Sequence, residues 1–398
     1  MTKKLILTFD CERTVVQFAL LEISSDKSTE LIRGKIEPIG GEISKFMYSY
    51  NNKQQSEFIS VEKIDTALKV IKDKIRELFG EEINNKISAI GHRVVHGGEK
   101  YFSPVKINEE VISAIAEFYN LAPLHNPYNL AGIRAAEKLW PRVVQVACFD
   151  TAFHQTIPEY LYRKPLPEKF YLENGIRRYG FHGVFHNHVV LESSRVLRKP
   201  VNKLNLISIY ISRGASICAI VNGKSLDTSM GFTPLSGLMM TTRCGDIDAE
   251  VPIYLLKLGY TVADVENILM KESGLLGVAK KSSVCEVVKN YSKDKNCKLA
   301  LDMFVVRVQK YIGSYYLLMD GKVDAIVFSG DVGCEYPLIR KLASEKLNFI
   351  GAVIDIKKNA SLSNKEGIFS KSNSKIKLLN IPPNEFLIIA RLSYNLVK

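Results

Sequence analysis

Two stretches of the chain share one layout. Residues 5–23, LILTFDCERTVVQFALLEI, read as a strand, a polar turn at Asp10 to Thr14 and a second strand, and residues 206–223, LISIYISRGASICAIVNG, repeat the pattern around Ser212 to Gly214. Apolar flanks about a short polar interruption are the signature of paired strands. One such pair near the start of each half points to an internal duplication. A chain of 398 residues also exceeds the size at which a single core keeps growing, so two domains, each on the order of 200 residues, are expected. Between the strands lies helical periodicity. Ile64, Leu68, Ile71, Ile75 and Leu78 recur in steps of four and three within Val61 to Phe79, and Gly80 follows as a stop. The class is therefore α/β.

Charge and hydropathy narrow the function. No apolar run approaches the roughly 20 residues of a membrane span, and Asp10 and Glu12 interrupt the N-terminal run too early for a signal-peptide core. A soluble cytoplasmic protein is expected. Lys and Arg outnumber Asp and Glu by 54 to 42, a net charge of +12. The excess is diffuse and interleaved with acids, as in EKIDTALKVIKDKIREL, which favours a solvated surface with a few anion-binding arginines over a nucleic-acid interface. The seven cysteines stand singly, without CxxC or Cys/His zinc spacing, and read as reduced thiols.

Reactive side chains are densest between Val146 and His188. Asp150 leaves an apolar run, and His154, His182, His186 and His188 follow closely. Asp150 suits a general base or ligand-orienting group, or a cap for the next helix. His182, in the RRYGFHG turn, could donate to charge developing on a transferred group, or be structural. His182 and His186 have helix spacing but no placed third ligand, so zinc is not expected.

Other loops supply complementary groups. ISAIGHRVVHGGEKY, residues 87–101, reads as a strand running into a Gly-punctuated loop that carries His92, Arg93 and His96. A Pro-rich turn with His125 precedes a helix opened by Asn126 or Asn129 as a cap. Residues 227–248 form a long irregular segment carrying Arg243. Arg93 and Arg243 could each grip carboxylate or phosphate in two-point fashion, or form structural ion pairs. In VDAIVFSGDVGCE, residues 323–335, a buried strand opens into a Gly-containing loop and helix, a layout that aims backbone N–H groups at phosphate. A helix is expected near Ala300 to Leu318, an exposed hairpin or loop over Lys357 to Lys377, and a closing helix whose start carries Glu385. Together these groups suggest phosphoryl transfer, in which the protein positions reactants and neutralises charge.

The blocks GHRVVHGGE, APLHNPYNLAGI, FDTAFHQTIPE, GIRRYGFHG and DTSMGFTPLSGLMM followed by TRCGDID, in this order, closely resemble the acetate kinase family, and the similarity covers essentially the whole chain. The resemblance implies two domains of the acetate and sugar kinase, actin and heat-shock chaperone superfamily, with mixed sheets flanked by helices. The first domain would span 1–150 and regain the C-terminal helix 385–398. The second would span 151–384, with the active site in the interdomain cleft. It also implies a homodimer and reversible, magnesium-dependent phosphoryl transfer between ATP and acetate, giving acetyl phosphate. By position, Arg93 would hold the carboxylate or acyl phosphate, with His125 nearby; Asp150 would be the catalytic acid, and His182 and Arg243 would stabilise the transition state. Glu385 matches the family's magnesium-organising glutamate, and Asp10 stands where the family has Asn.

The nucleotide loops depart from the pattern. The opening loop reads DCERTVVQ, with Gln17 replacing a Lys, and the HLGNG phosphate loop is Tyr210, Ile211, Ser212, Arg213 and Gly214. Val284, Cys285 and Glu286 stand where an Asp-x-Arg frames adenine, and GGIGEN has become GDVGCE, with Asp331, Gly333 and Glu335 beside the expected polyphosphate. Acids there would repel ATP unless a cation intervenes. The readings that follow are an acetate kinase with an adapted donor site, a kinase using another donor such as pyrophosphate or another short acid, or an impaired relative with a binding or regulatory role.

Overall fold

The computed structural model describes residues 3–398, which divide into two compact units: one up to Phe153 together with Asn384–Lys398, and the other His154–Pro383. In the first unit the strands are β1 (Lys4–Cys11), β2 (Val16–Ile23), β3 (Ser28–Glu37), β4 (Ser44–Tyr50), β5 (Lys53–Ile59), β6 (Ile87–Val94), β7 (Val105–Lys106) and β8 (Val144–Phe149). They form a sheet of order β5-β4-β3-β2-β1-β6-β8-β7 among the described residues. The turn after β1 begins later than the sequence suggests. Asp10 belongs to the strand, paired with Gln17, and the turn closes from Glu12 N–H to the Val15 carbonyl.

Alternation along β1 decides which helix covers which face. Leu7 and Phe9 point into a core with Phe18, Leu20 and the helix Ile64–Phe79, while Ile6 joins Ala19, Leu21 and Ala89 beneath Phe386 and Ala390 of the C-terminal helix Glu385–Val397. Each fully buried Ile, Leu or Phe contributes about 1.5–3 kcal/mol. Close seating of that helix requires Gly91, since a Cβ there would lie 2.5 Å from Ser393 Oγ and 2.6 Å from Ile389 Cγ2.

The second unit contains β9 (Leu206–Ile211), β10 (Ala215–Val221), β11 (Lys224–Thr228), β12 (Ala325–Ser329), β13 (Gly367–Ile368) and β14 (Lys377–Asn380), in the order β11-β10-β9-β12-β14-β13. Five strands repeat the first unit's pairing: β3-β2-β1-β6-β8 and β11-β10-β9-β12-β14 each run antiparallel, antiparallel, parallel, parallel. Every residue of β9 and β12 is buried, as strands covered on both faces must be. The segment read as an exposed hairpin or loop over Lys357 to Lys377 does contribute an antiparallel pair, β13 with β14, but it opens with the helix Ile356–Ser361 and has Phe369, Ser370 and Ser374 buried. Phe369 supplies enough apolar surface, against Phe328, to fold its polar surroundings inward. No helix among the described residues is long and apolar enough to cross a membrane.

Candidate active site

In the first unit β1, β6 and β8 are adjacent and parallel, so their C-terminal ends gather three charged side chains, at the edge where open α/β sheets bind ligands. His92 and Arg93 lie on β6 itself, and not in the loop where the sequence placed them. Arg93, 8% exposed, donates from Nη1 to Asp10 Oδ2 at 2.8 Å and from Nη2 and Nε to Asp150 Oδ2 at 2.6 and 3.2 Å. Glu12 Oε1 lies 3.6 Å from Nη1. Burial alone would lower the Arg93 pKa, but Asp10, Asp150 and Glu12 raise it well above its ordinary value. Asp150 therefore partners a guanidinium.

The loop after β6 is clamped from the helix Asn126–Leu139. Asn126 Oδ1 accepts from His96 N–H at 3.0 Å, Asn129 Oδ1 accepts from Val95 N–H at 3.1 Å, and Asn129 Nδ2 donates to the Cys11 carbonyl at 2.8 Å. Asn126 or Asn129 is expected as the cap, yet both are buried tertiary clamps, and half-buried His125 takes the cap position without a side-chain cap bond. This clamp had no separate signal in the sequence.

Two carboxylates are available to a cation here. Asp10 Oδ1 is buried and has no hydrogen-bond partner. The half-buried Glu385 carboxyl is pushed up chiefly by burial, with Asp10 adding to it and Arg33 and Arg93 opposing. Among the described residues no three His, Cys, Asp or Glu side chains group as metal ligands. A cation held by Asp10 and Glu385 would complete its shell with water and phosphate oxygens, which fits magnesium.

In the second unit the irregular segment after β11 brings Arg243 to the turn between β9 and β10. A Cβ on Gly214 would lie 3.0 Å from Arg243 Nη2 and 3.3 and 3.4 Å from His182 Cε1 and Nε2. Two side chains expected to act together thus converge on a bare backbone. Arg243 Nη1 donates to the Pro234 carbonyl at 2.7 Å. His182 stands at the head of the helix Gly183–Leu197 with φ of 60°, its ring 4.7 Å from that of Tyr210 and its Nδ1 2.9 Å from Ser216 Oγ.

The remaining nucleotide-side residues are spread differently. Ser212 N–H donates to the Gly214 carbonyl, closing the turn, and Arg213 is exposed. Gln17 is half-buried on β2, in the first unit. After β12, Gly330 has φ of 82° and approaches Ile211 so closely that a Cβ would meet its carbonyl oxygen at 2.2 Å. The following helix, Asp331–Glu335, has only five residues and begins with an acid, so its N-terminus offers phosphate little attraction. Asp331 and Glu335 are exposed, while Gly333 is buried. Fully buried Arg340, which the sequence did not single out, donates to the Gly333 and Cys334 carbonyls at 2.9 and 2.6 Å and pins this loop. An apolar pocket beside it is lined by Ile211, Met240, Val284, Val332 and Ile339.

Comparisons with known proteins agree on one family. Residues 5–391 match the sequence profile of the Acetokinase family. The acetate kinase of Carboxydothermus hydrogenoformans is 43% identical, over 98% of this chain and 99% of its own length. The crystal structure of Porphyromonas gingivalis acetate kinase superposes with a TM-score of 0.93 at 37% identity, covering 99% of this chain and 100% of that one. A propionate kinase from Francisella tularensis gives a TM-score of 0.91 at 37% identity, covering 98% and 99%.

Proposed function

The chain belongs to the acetokinase family, and from that premise we propose that it catalyses reversible phosphoryl transfer between ATP and acetate, giving ADP and acetyl phosphate. The observation that carries this reading is the convergence of Arg243 and His182 on Gly214. A guanidinium and an imidazole beside a backbone with no side chain suit a phosphoryl group whose charge must be neutralised as it moves.

The chain's residues divide the work. Arg93 attracts the acetate carboxylate, and Asp150 holds the guanidinium in place. One acetate oxygen attacks the terminal phosphorus in line as the bond to the ADP oxygen breaks. Arg243 and His182 donate hydrogen bonds to the equatorial oxygens as negative charge spreads over them. In the reverse direction the same groups serve acetyl phosphate. Asp10 and Glu385 would hold magnesium, which supplies charge neutralisation to the polyphosphate.

A homodimer in the cytoplasm completes the reading. Its support is the apolar surface of residues 253–262, where Tyr254, Leu258 and Val262 are 57%, 58% and 73% exposed; sedimentation at micromolar concentration tests it. The test of the activity is acyl hydroxamate formation with acetate and magnesium, supplied in turn with ATP, other nucleotides and pyrophosphate. Acetohydroxamate with ATP is the expected result. No acyl phosphate with any donor, from folded chain, would refute the kinase, and pyrophosphate as the sole effective donor would refute the nucleotide.

A further inference from the structure

Four polar side chains of the second unit form an unbroken row. Ser208 Oγ lies 2.8 Å from His186 Nδ1, His186 Nε2 lies 2.9 Å from Ser216 Oγ, and Ser216 Oγ lies 2.9 Å from His182 Nδ1. Ser208, His186 and Ser216 are wholly buried. Two regularities set the spacing. His182 and His186 are one helical turn apart, and the register pairing Ser216 with Tyr210 places Ser208 and Ser216 on one sheet face as diagonal neighbours.

The protons in this row can be counted. Burial pushes the His186 pKa well below its ordinary value, and the neighbouring His154 pushes it the same way. His186 is therefore neutral, with one ring N–H. His154 is also neutral, its pKa lowered to about 4 by burial; its Nε2–H donates to the Phe181 carbonyl, so Nδ1 accepts from Ser225. Each serine has one hydroxyl hydrogen. Only two directions then connect the row. In the first, Ser208 donates to His186 Nδ1, His186 Nε2–H donates to Ser216, and Ser216 donates to His182 Nδ1. In the second, every bond reverses and the Ser208 hydroxyl hydrogen is left buried without an acceptor, because Ser208 Oγ makes no other hydrogen bond among the described residues. A buried donor left unmade is costly. The first direction leaves none.

We infer that Ser216 and His186 are positioning residues: with Ser208 at its head, their one-way row of hydrogen bonds makes His182 Nδ1 an acceptor and fixes the ring's proton on Nε2, the nitrogen beside Gly214 and Arg243. The inference deepens the role given to His182 above and rests on it. A neutral imidazole in this tautomer presents a donor to the transferred group; the other tautomer would present a lone pair to its negative oxygens.

Nitrogen-15 NMR of the imidazoles in the full chain, without ligand, reads the tautomer directly. The expected result is His182 protonated on Nε2 with Nδ1 bare. Ser216→Ala should mix the two tautomers and lower kcat on the order of 10- to 100-fold, by analogy with the loss when the partner that orients a metal-bound imidazole is removed. The KM values for acetate and ATP should stay within about twofold, and Ser216→Thr, which keeps the hydroxyl, should restore kcat. A His182 proton on Nδ1 in the unmodified chain overturns the inference, as do Ser216→Ala signals and kcat that match the unmodified chain. Should Ser216→Ala not fold, Ser208→Ala decides instead: a reduced Nε2–H population supports the row, and an unchanged one overturns it. The spectrum needs no turnover. A chain with the expected tautomer that forms no acyl phosphate refutes the kinase reading alone.

Discussion

Arg93 Nη2 and Asp150 Oδ2 meet at 2.6 Å, between a guanidinium that is 8% exposed and a carboxylate with no exposure. Asp10 occupies the other side of the same guanidinium. Removing the cation strands two buried carboxylates, and such a loss costs about 3–5 kcal/mol. Arg93→Ala should therefore lower the urea midpoint as well as abolish acyl-phosphate formation, and Asp150→Asn, which leaves Asp10 in place, should lower it less. Equal midpoints for Arg93→Ala and the parent chain would show that the triad is not held as described.

Asp10 adds a formal charge where the family has a neutral Asn, and its Oδ1 is buried without a partner. Charge on the ligands tunes cation affinity. Asp10→Asn should raise the magnesium concentration needed for half-maximal activity on the order of tenfold, and it should weaken the thermal shift that magnesium gives with ADP. An unchanged magnesium titration in both measurements would remove Asp10 from the cation's shell.

How far the sequence revealed these features depends on whether a residue's partner is local. The duplicated strand pairs, the helix Ile64–Phe79 and the C-terminal helix follow from apolar periodicity that each segment carries alone. Arg93, Asp150, His182 and Arg243 stand out in the sequence because they lie beside glycines or strand ends. The expected cap at Asn126 or Asn129 fails because a capping side chain and a clamp on a distant strand look alike in sequence. Asp10 was misplaced for a related reason: an acid ends most apolar runs, but here Arg93, far along the chain, keeps it in the strand. Arg340 gave no signal at all, since most of its acceptors are backbone carbonyls that any sequence possesses, and its one side-chain acceptor, Asn359 Oδ1, lies in a different helix. The same limit applies to the row from Ser208 to His182, where helix spacing shows two histidines but not the serines across from them.

Buried neutral histidines set the acid limit of stability. His92 and His154, both about 1% exposed, have pKa values lowered by burial from 6.5 to about 4. The unfolded chain binds more protons than the folded one between those values, so their stabilising contribution is full above pH 6.5 and is lost as pH falls towards 4. Each accounts for roughly 3 kcal/mol across that window. The urea midpoint should begin to fall below about pH 6.5, well before ordinary carboxylates titrate. His92→Gln should flatten the slope, and a midpoint level from pH 7 to pH 5 would contradict the burial of these rings.

Asp331 and Glu335 are exposed beside the buried Gly333, and the reading of this loop as polyphosphate-facing makes both acids unfavourable to ATP. Exposed charges act through solvent and are screened by salt. Asp331→Asn with Glu335→Gln should lower the KM for ATP about two- to fivefold at low ionic strength, with the advantage shrinking as salt shortens the Debye length. The KM for acetate should not change. An unaltered ATP dependence at low salt would place the donor's phosphates elsewhere.

Gly214 offers the sharpest geometric test. A methyl group there would sit 3.0 Å from Arg243 Nη2 and 3.3 Å from His182 Cε1, closer than ordinary contact by a few tenths of an ångström. Arg243 is tethered through Nη1 to the Pro234 carbonyl, and His182 is tied through Nδ1 to Ser216, so neither side chain can retreat without breaking a hydrogen bond. Misplacement by about 1 Å costs on the order of 100-fold in rate, and a shift of tenths should cost about tenfold. Gly214→Ala should therefore lower kcat while leaving the KM for acetate intact, because Arg93 and Asp150 belong to the other unit. A Gly214→Ala chain with full kcat would mean that Arg243 and His182 do not act on the transferred group from this position.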